Sequence, residues 1–368
     1  MDRIGYAIVG STGAIGPVHI DAIKRLDNCR LIGVYARTQE PLRQQAHQLG
    51  VKSYASLDEV LSDPEVDAII IATPHVSHEA MVLEAASAGK HILVEKPMAV
   101  TVSEAESMVR AARSAGVKLG VLFNQRFRPE SQRMRALIDE GAIGEIYRTS
   151  LVSAAMRTQD YYDRLDWRGT WEDEGGGLLL NQGIHGIDFF QWLGGMPKAV
   201  YGMERTLKHV MEAEDYASAL FEYESGHGTV HCNTVQAPNQ MRIELWGEKG
   251  ALILDNGELT LHRLETPIQE FIDTDKQTRF AAPGSTTETF TFEQPGNSHV
   301  AAIGEFADAL LEGREPAITG EEGVKSQELV AAITLSACRN KKVQLPIDRD
   351  EYDALLKRLR RLHKLPNE

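Results

Sequence analysis

Short apolar runs alternate with longer segments of helical spacing in the first third of the chain. We expect strands buried on both faces at residues 4–9, 30–36, 68–72, 91–94 and 117–123. The segments between them predict helices, several of which end at a glycine such as Gly50, Gly89 or Gly116. This alternation predicts a parallel sheet with right-handed crossovers, in which ligands bind beyond the carboxyl ends of the strands.

The pattern changes after residue 146, where runs typical of strands follow one another without helices between them. These runs cover residues 146–155, 199–205, 217–223, 228–234, 242–246 and 251–254. An antiparallel sheet is the expected result. Helices predicted at 298–311 and 321–339 should return to the first domain or to the edge of this sheet, and residues 265–296 are expected to form a long irregular loop or a hairpin.

Charge and cysteine content exclude several classes of protein. A formal net charge of -14 argues against a nucleic-acid or acidic-membrane partner. The basic cluster at 357–361 and Lys364 lies in a predicted amphipathic helix, 351–365, and is interpreted as its solvated face. Because no apolar run is long enough for a membrane span and no signal-peptide pattern begins the chain, we expect a cytoplasmic protein. Cys29, Cys232 and Cys338 lie far apart, which predicts neither a disulfide framework nor a metal site.

A glycine-rich turn, Gly-Ser-Thr-Gly-Ala-Ile-Gly at residues 10–16, joins the first predicted strand to the first helix. In that position, glycines allow the backbone to approach a pyrophosphate, which the free amides and the dipole of the helix stabilise. The spacing differs by one residue from the usual dinucleotide fingerprint, and any tight turn could also use glycine. The expected cofactor contacts here are Gly10, Ser11, Thr12, Gly13, Ala14 and Ile15.

The end of the second strand bears on the choice between NAD and NADP. Ala36 and Arg37 occupy the place where an acid would bind the ribose diol of NAD. An arginine without that acid favours NADP slightly, because its guanidinium can bind a 2′-phosphate. Alternatively, Arg37 stacks on the adenine or faces solvent.

Polar residues follow two further strands of the predicted sheet. Cofactor contacts are expected from Thr73, Pro74, His75, His78, Glu95, Lys96 and Pro97, and from Asn124 after the last strand. His75 and His78 have a spacing found in metal sites, but no third ligand is apparent, so contact with the cofactor is favoured over zinc.

Together these motifs resemble the Gfo/Idh/MocA family. The resemblance also includes residues 72–74, 88–91, 95–97, 175–177, 181–188 and 313–316 and extends over essentially the whole chain. It implies an α/β chain with a Rossmann domain at residues 1–122, an α+β substrate and oligomerisation domain with an open, mainly antiparallel sheet at 123–348, and a C-terminal helix and tail at 349–368. In the family the exposed sheet face often packs on a second subunit, which implies a homodimer or homotetramer. The glycine spacing is similar to a branch that acts on sugar nucleotides.

Residues 161–171 combine tyrosines, tryptophans and arginines, which suit a polyhydroxylated or phosphorylated ligand. Packing within a loop is the alternative for these side chains. The resemblance places a histidine, His185, against the nicotinamide, whereas Asn181 replaces the aspartate of inositol dehydrogenase-like members. On one helix, Asn181, His185 and Asp188 would share a face. The candidate substrate residues are Arg126, Tyr161, Arg168, Trp171, Asn181 and His185.

The predicted chemistry is hydride transfer that interconverts a secondary hydroxyl and a ketone on a sugar, sugar nucleotide or cyclitol, with NAD or NADP as cofactor. His185 is the candidate base, Lys96 stabilises the alkoxide and Asn181 orients the hydroxyl. Two alternatives remain open: a glycosidase that uses transient oxidation, and a noncatalytic sugar or nucleotide sensor on the same fold.

Overall fold

A computed structural model describes residues 3–274, 279–293 and 297–362. Its strands are β1 (Ile4–Val9), β2 (Cys29–Tyr35), β3 (Lys52–Ser53), β4 (Ala68–Ile71), β5 (His91–Val94), β6 (Leu119–Val121), β7 (Ile146–Ala154), β8 (Ala199–Arg205), β9 (Tyr216–Glu222), β10 (His227–Asn233), β11 (Gln240–Gly247), β12 (Gly250–Asp255), β13 (Glu258–Leu264), β14 (Ser285–Phe290) and β15 (Val343–Gln344). Its α-helices are α1 (Gly16–Lys24), α2 (Gln39–Leu49), α3 (Leu57–Ser62), α4 (His78–Ser87), α5 (Val102–Ala115), α6 (Pro129–Asp139), α7 (Gln159–Asp163), α8 (Ile184–Gly194), α9 (Ile268–Thr274), α10 (Ser298–Glu312), α11 (Gly320–Arg339) and α12 (Arg349–Leu362).

The chain divides into two compact units. Unit 1 comprises the described residues of Met1–Phe127, Asp173–Gly175 and Gly296–Gln327. Unit 2 comprises those of Arg128–Glu172, Gly176–Pro295 and Glu328–Glu368. The short returning segments could not be assigned from the sequence pattern, because sequence order does not fix which unit a helix packs against.

Unit 1 contains a parallel sheet in the order β3-β2-β1-β4-β5-β6. This is the doubly wound Rossmann arrangement, so the predicted fold class is confirmed for the first part of the chain. The carboxyl ends of β1, β4 and β5 are neighbours at one edge of the sheet, which brings the residues after each strand together. Helix α10 packs on this unit as expected, with Ile303 and Phe306 buried in the same core as Ile8.

The helix after β5 begins as its sequence predicts. The Thr101 hydroxyl accepts the N–H of Glu104 over 3.1 Å, and the Glu104 carboxylate accepts the N–H of Thr101 over 3.1 Å. This capping box stabilises the first turn of α5 and fixes where the segment following Lys96 ends.

Unit 2 contains a sheet in the order β14-β13-β12-β11-β7-β10-β9-β8-β15. Strands β7 and β10 are parallel, and the other neighbouring strands with a described register are antiparallel, which confirms a mainly antiparallel open sheet. One face is covered by α8, where Phe190 packs near Gly228. On the other face, Tyr201 pairs with Leu220, and Met203 is 56% exposed.

Two expectations require correction or restriction. For residues 265–293, expected as a long irregular loop or a hairpin, the hairpin alternative agrees with the structure, because β14 pairs antiparallel with β13. Helix α9, which lies between these two strands, was not predicted. Residues 275–278 and 294–296 of that segment lie outside the described part. Helix α12 ends at Leu362, and the predicted continuation to residue 365, the tail and Lys364 likewise lie outside it. Within the described ranges no helix is both long and apolar enough to cross a membrane.

Candidate active site

The glycine turn after β1 leaves no room for side chains at two of its positions. Gly10 has φ +91°, and a Cβ there would lie 2.4 Å from the carbonyl oxygen of Ala72. At Gly16 a Cβ would lie 2.0 Å from the Ser11 carbonyl oxygen. The N–H of Gly13 donates to the Gly10 carbonyl over 3.0 Å. The turn therefore lies directly against the end of β4 and begins α1, with Ile15 as its N-cap residue.

A cavity of about 290 Å³ lies beside this turn. Its lining includes predicted cofactor residues from three strand ends, namely Gly10, Thr12, Gly13, Ala36, Arg37, Thr73 and Pro74. The buried Ser11 hydroxyl has no hydrogen-bond partner among the described residues. A glycine turn before a helix, an adjoining cavity and an orphaned hydroxyl fit a dinucleotide, whose pyrophosphate the turn would hold.

Ala36 is buried, whereas the neighbouring Arg37 is exposed to solvent. Ala36 is 5% exposed, and its carbonyl accepts the side-chain N–H of Gln39 over 3.1 Å. Arg37 is exposed and belongs to the cavity lining. An exposed guanidinium at this place can meet a 2′-phosphate or stack on an adenine, the two possibilities left open by the sequence.

The two histidines after β4 hold backbone segments. His78 is fully buried, with Nε2 2.9 Å from the Thr73 carbonyl and Nδ1 3.0 Å from the Pro97 carbonyl. Burial lowers the pKa of His78, although these carbonyls oppose that effect. Burial, with the nearby His78 and Lys96 charges, also lowers the pKa of His75 to about 3. Neutral His75 therefore donates from Nδ1 to the Glu174 carbonyl, which lies 3.2 Å away.

Glu95 lies at the carboxyl end of β5 and is 7% exposed. One of its oxygens is 2.9 Å from Nε2 of His19, and the other accepts the backbone N–H of Lys96 over 3.0 Å. Burial raises the pKa of Glu95, but His19, Lys96 and His299 outweigh burial and bring it to about 2. Glu95 is therefore an ionised carboxylate beside the half-buried Lys96.

Tyr161 brings together several predicted residues of unit 2. Its hydroxyl accepts the side-chain N–H groups of Asn181 at 3.3 Å and Gln182 at 2.9 Å. The Arg168 guanidinium lies 3.8 Å from the centre of the tyrosine ring and donates to the Tyr161 carbonyl over 2.7 Å. Gln182 was not predicted, although its position beside Asn181 in the chain could have suggested it.

His185 lies in the first turn of α8 and is half-buried. Asp188, one turn later, is buried and accepts the side-chain N–H of Gln191 over 3.3 Å. Asn181 lies in the preceding turn, so the prediction of one helix face shared by all three residues is wrong. The helix begins only at Ile184. Immediately before it, the backbone N–H of Gly183 donates to the Leu178 carbonyl and closes the turn that contains Asn181.

Glu214 supports that same turn and was not found from the sequence. Its carboxylate accepts the N–H of Gly177 over 3.0 Å and of Leu179 over 2.8 Å. Burial raises the pKa of Glu214 to about 7 in spite of these donors. A single acid 37 residues from Gly177 gives no sequence signal of this contact.

Two predicted substrate residues are buried and have structural contacts. Arg126 is 3% exposed, and its guanidinium lies 3.2 Å from the Glu322 carboxylate. Trp171 is 6% exposed, and its indole N–H donates to the Glu212 carbonyl over 3.2 Å. Their ligand roles stay predictions, and for Trp171 the packing alternative accounts for the observed environment. Among the described residues, no group of three or more His, Cys, Asp or Glu side chains could hold a metal ion.

Comparison with known proteins identifies both units. Residues 4–123 match the oxidoreductase family with an NAD-binding Rossmann fold, and residues 131–253 match the GFO/IDH/MocA C-terminal domain. The chain is 28% identical over 331 residues to myo-inositol 2-dehydrogenase of Thermotoga maritima, covering 87% of this chain and 92% of that protein. It is 30% identical over 259 residues to trans-1,2-dihydrobenzene-1,2-diol dehydrogenase of Macaca fuscata fuscata, covering 69% of this chain and 74% of that protein.

A solved structure is also similar over nearly its whole length. The WlbA dehydrogenase of Bordetella pertussis, in complex with NADH and UDP-GlcNAcA, is 28% identical with a TM-score of 0.80. The match covers 94% of this chain and 99% of that one. The chain therefore belongs to the Gfo/Idh/MocA family of oxidoreductases and is an NAD(P)-dependent dehydrogenase or reductase acting on CH–OH groups.

Proposed function

We propose that this enzyme interconverts a secondary hydroxyl and a ketone on a sugar, sugar nucleotide or cyclitol, with Lys96, His185 and Asn181 as its catalytic residues. The observation that carries the proposal is the position of Lys96. It directly follows β5 at the sheet edge that also bears the glycine turn, and its backbone N–H is held by ionised Glu95. A bound nicotinamide supplies the hydride acceptor or donor.

Lys96 stabilises the negative charge that develops on the substrate oxygen. The adjacent Glu95 carboxylate favours the ammonium form of the lysine, which is the form that stabilises an alkoxide. Fixing the Lys96 peptide also reduces the reorganisation needed when the substrate binds.

His185 accepts the hydroxyl proton during oxidation and returns it during reduction. Histidine suits this role because its unperturbed pKa lies near neutrality. Asn181 orients the hydroxyl through its amide. An asparagine cannot replace the base, so proton transfer in this proposal belongs to His185.

Tyr161, Arg168 and Gln182 recognise the substrate. Their contacts join an aromatic face, a guanidinium and an amide, which together suit a ring with several hydroxyls or an acidic group. The named relatives act on or bind a cyclitol, a diol and a sugar nucleotide. These names support a polyhydroxylated cyclic substrate, and Arg37 supports NADP over NAD.

The open face of the unit 2 sheet binds a second copy of the chain in this proposal. Tyr201, Leu220 and Thr229 occupy paired positions on three neighbouring strands, and all three side chains are exposed. A contiguous exposed row with apolar members is typical of a protein interface. A homodimer or homotetramer would cover it.

The test is a panel of sugars, sugar nucleotides and cyclitols with NAD⁺ or NADP⁺, followed by absorbance at the nicotinamide band. Lys96→Met should abolish turnover while leaving dinucleotide binding largely intact, whereas Lys24→Met, on the exposed end of α1, should leave both intact. Full activity of Lys96→Met would refute the proposal.

Release of free sugar from a glycoside without net absorbance change would indicate the glycosidase, and ligand binding with no turnover on any substrate would indicate the sensor.

A further inference from the structure

Glu95 connects two elements of unit 1 through its two carboxylate oxygens. Oε1 is 2.9 Å from Nε2 of His19, which lies in the first turns of α1. Oε2 accepts the backbone N–H of Lys96 over 3.0 Å. The helix that follows the glycine turn is thereby linked, through one side chain, to the peptide of the proposed catalytic lysine.

This link is deeply buried and charged. The His19 side chain has no exposed surface, and its Nδ1 has no hydrogen-bond partner among the described residues. Burial of an ionised carboxylate is unfavourable unless partners compensate for the lost hydration. An apolar pair of the same size would fill this space without that penalty, so stability alone does not account for the choice of residues.

Titratable groups from several elements lie around Glu95. The Glu95 charge acts on His75 and His78, which follow β4. His19 approaches from α1, Lys96 follows β5, and His299 comes from α10. The rings of His19 and His299 meet edge to face with their centres 5.3 Å apart. Each of these three groups favours ionised Glu95, which in turn attracts the Lys96 ammonium.

We infer that His19 and Glu95 are positioning residues that hold Lys96 against the cofactor turn and maintain its ammonium form. The inference rests on the proposed role of Lys96. His19 and Glu95 perform no chemical step themselves. They set the position and the charge of Lys96, which does perform one.

Kinetic measurements on the full-length enzyme test this inference with His19→Leu, His19→Gln and Glu95→Gln. We expect His19→Leu and Glu95→Gln to lower kcat about 10-fold to 100-fold, because small misplacement of a catalytic group has effects of this size. KM for the substrate and the dissociation constant of the dinucleotide should change little. His19→Gln retains a side-chain N–H and should recover most of the activity lost in His19→Leu. His47→Gln, on the exposed surface of α2, is the matched control.

A second measurement needs no substrate. The rate at which an amine-acylating reagent labels Lys96, followed by mass spectrometry over a range of pH, reports how readily the ammonium loses its proton. Labelling of Lys96 in Glu95→Gln should reach half its maximal rate at lower pH than in the wild type, while labelling of Lys24 should not change. A purely structural ion pair would leave this midpoint unmoved, and that result would overturn the inference.

The possible failures can be separated. Wild-type kcat in folded variants would refute the positioning role. So would an unchanged labelling midpoint, or a loss of activity matched by an equal loss of dinucleotide affinity. Full activity of Lys96→Met would instead refute the proposed function. If His19→Leu does not fold, as judged by circular dichroism, His19→Gln and Glu95→Gln provide the test.

Discussion

The backbone N–H of Gly177 donates to the carboxylate of Glu214 over 3.0 Å, at the start of the turn that carries Asn181. The backbone of the two residues is also in close contact, since a Cβ at position 177 would lie 2.2 Å from the Glu214 carbonyl oxygen. The site segment of unit 2 is thus supported by an acid that lies two residues before β9.

This contact predicts different effects of alanine at adjacent glycines. Gly177→Ala should lower the free energy of unfolding by about 2 kcal/mol or more, because the clash is with backbone and the neighbour must shift. Gly176→Ala is the matched control, since its nearest neighbouring atom would lie 3.6 Å away in ordinary contact. Urea unfolding of both variants measures the difference. Equal stabilities would contradict the packing at residue 177.

Glu214 also predicts a dependence of stability on pH. Burial raises its pKa from 4.5 to about 7, so the folded state retains a proton that the unfolded state has lost between these values. Stability should therefore fall as pH rises from about 4.5 to about 7. In Glu214→Gln this part of the decline should be absent, whatever the absolute stability of the variant. Urea unfolding midpoints of the wild type and Glu214→Gln at several pH values check this prediction. The same slope of stability against pH in both proteins would exclude Glu214 as the source of the decline.

Arg37 predicts cofactor preference. If its guanidinium binds the 2′-phosphate, Arg37→Ala should weaken NADP binding about 10-fold or more, because a charged hydrogen bond contributes roughly 1.5–3 kcal/mol. Binding of NAD should change little. Fluorescence titration with both reduced cofactors measures this, with Arg43→Ala on the exposed surface of α2 as control. Equal losses for both cofactors would favour stacking on the adenine.

Tyr161 predicts an effect on substrate recognition. Removing its hydroxyl in Tyr161→Phe frees the amides of Asn181 and Gln182 from their common acceptor. We expect KM to rise about 3-fold to 10-fold, the size of one lost neutral hydrogen bond, with dinucleotide binding unchanged. Tyr147→Phe, which removes an exposed hydroxyl elsewhere in unit 2, should have wild-type kinetics. Unchanged KM in Tyr161→Phe would place substrate recognition on other residues.

The open sheet face predicts self-association. Leu220 is 50% exposed at the centre of its row, and a buried carboxylate there would oppose any packing of two apolar faces. Leu220→Glu should convert a dimer or tetramer to a smaller species in light scattering coupled to size exclusion. Leu83→Glu on α4 of unit 1 should not. A monomeric wild-type chain would contradict the proposed interface.

The sequence predicted the elements whose formation depends on local rules. β1 and β5 have the predicted bounds because continuous apolar runs ended by polar or glycine residues are sufficient to define buried strands. The capping box at Thr101 and Glu104 is likewise a contact between residues three apart. Strand β13 was missed although a turn signal precedes it: Asn256 and Gly257, both with positive φ, form the two-residue turn that joins it to β12.

By itself, the sequence determined the alternation of strands and helices, the glycine turn and the position of Lys96 at a strand end, since each follows from periodicity and from the steric freedom of glycine. The Rossmann arrangement was implied by the family resemblance, and the strand order was given by the structure. Only the tertiary structure decided that Glu95 faces His19, that Glu214 supports Gly177, and that Arg126 and Trp171 are buried. These outcomes depend on contacts between residues far apart in the chain. Their distances and desolvation are properties of packing, which the order of residues alone does not specify.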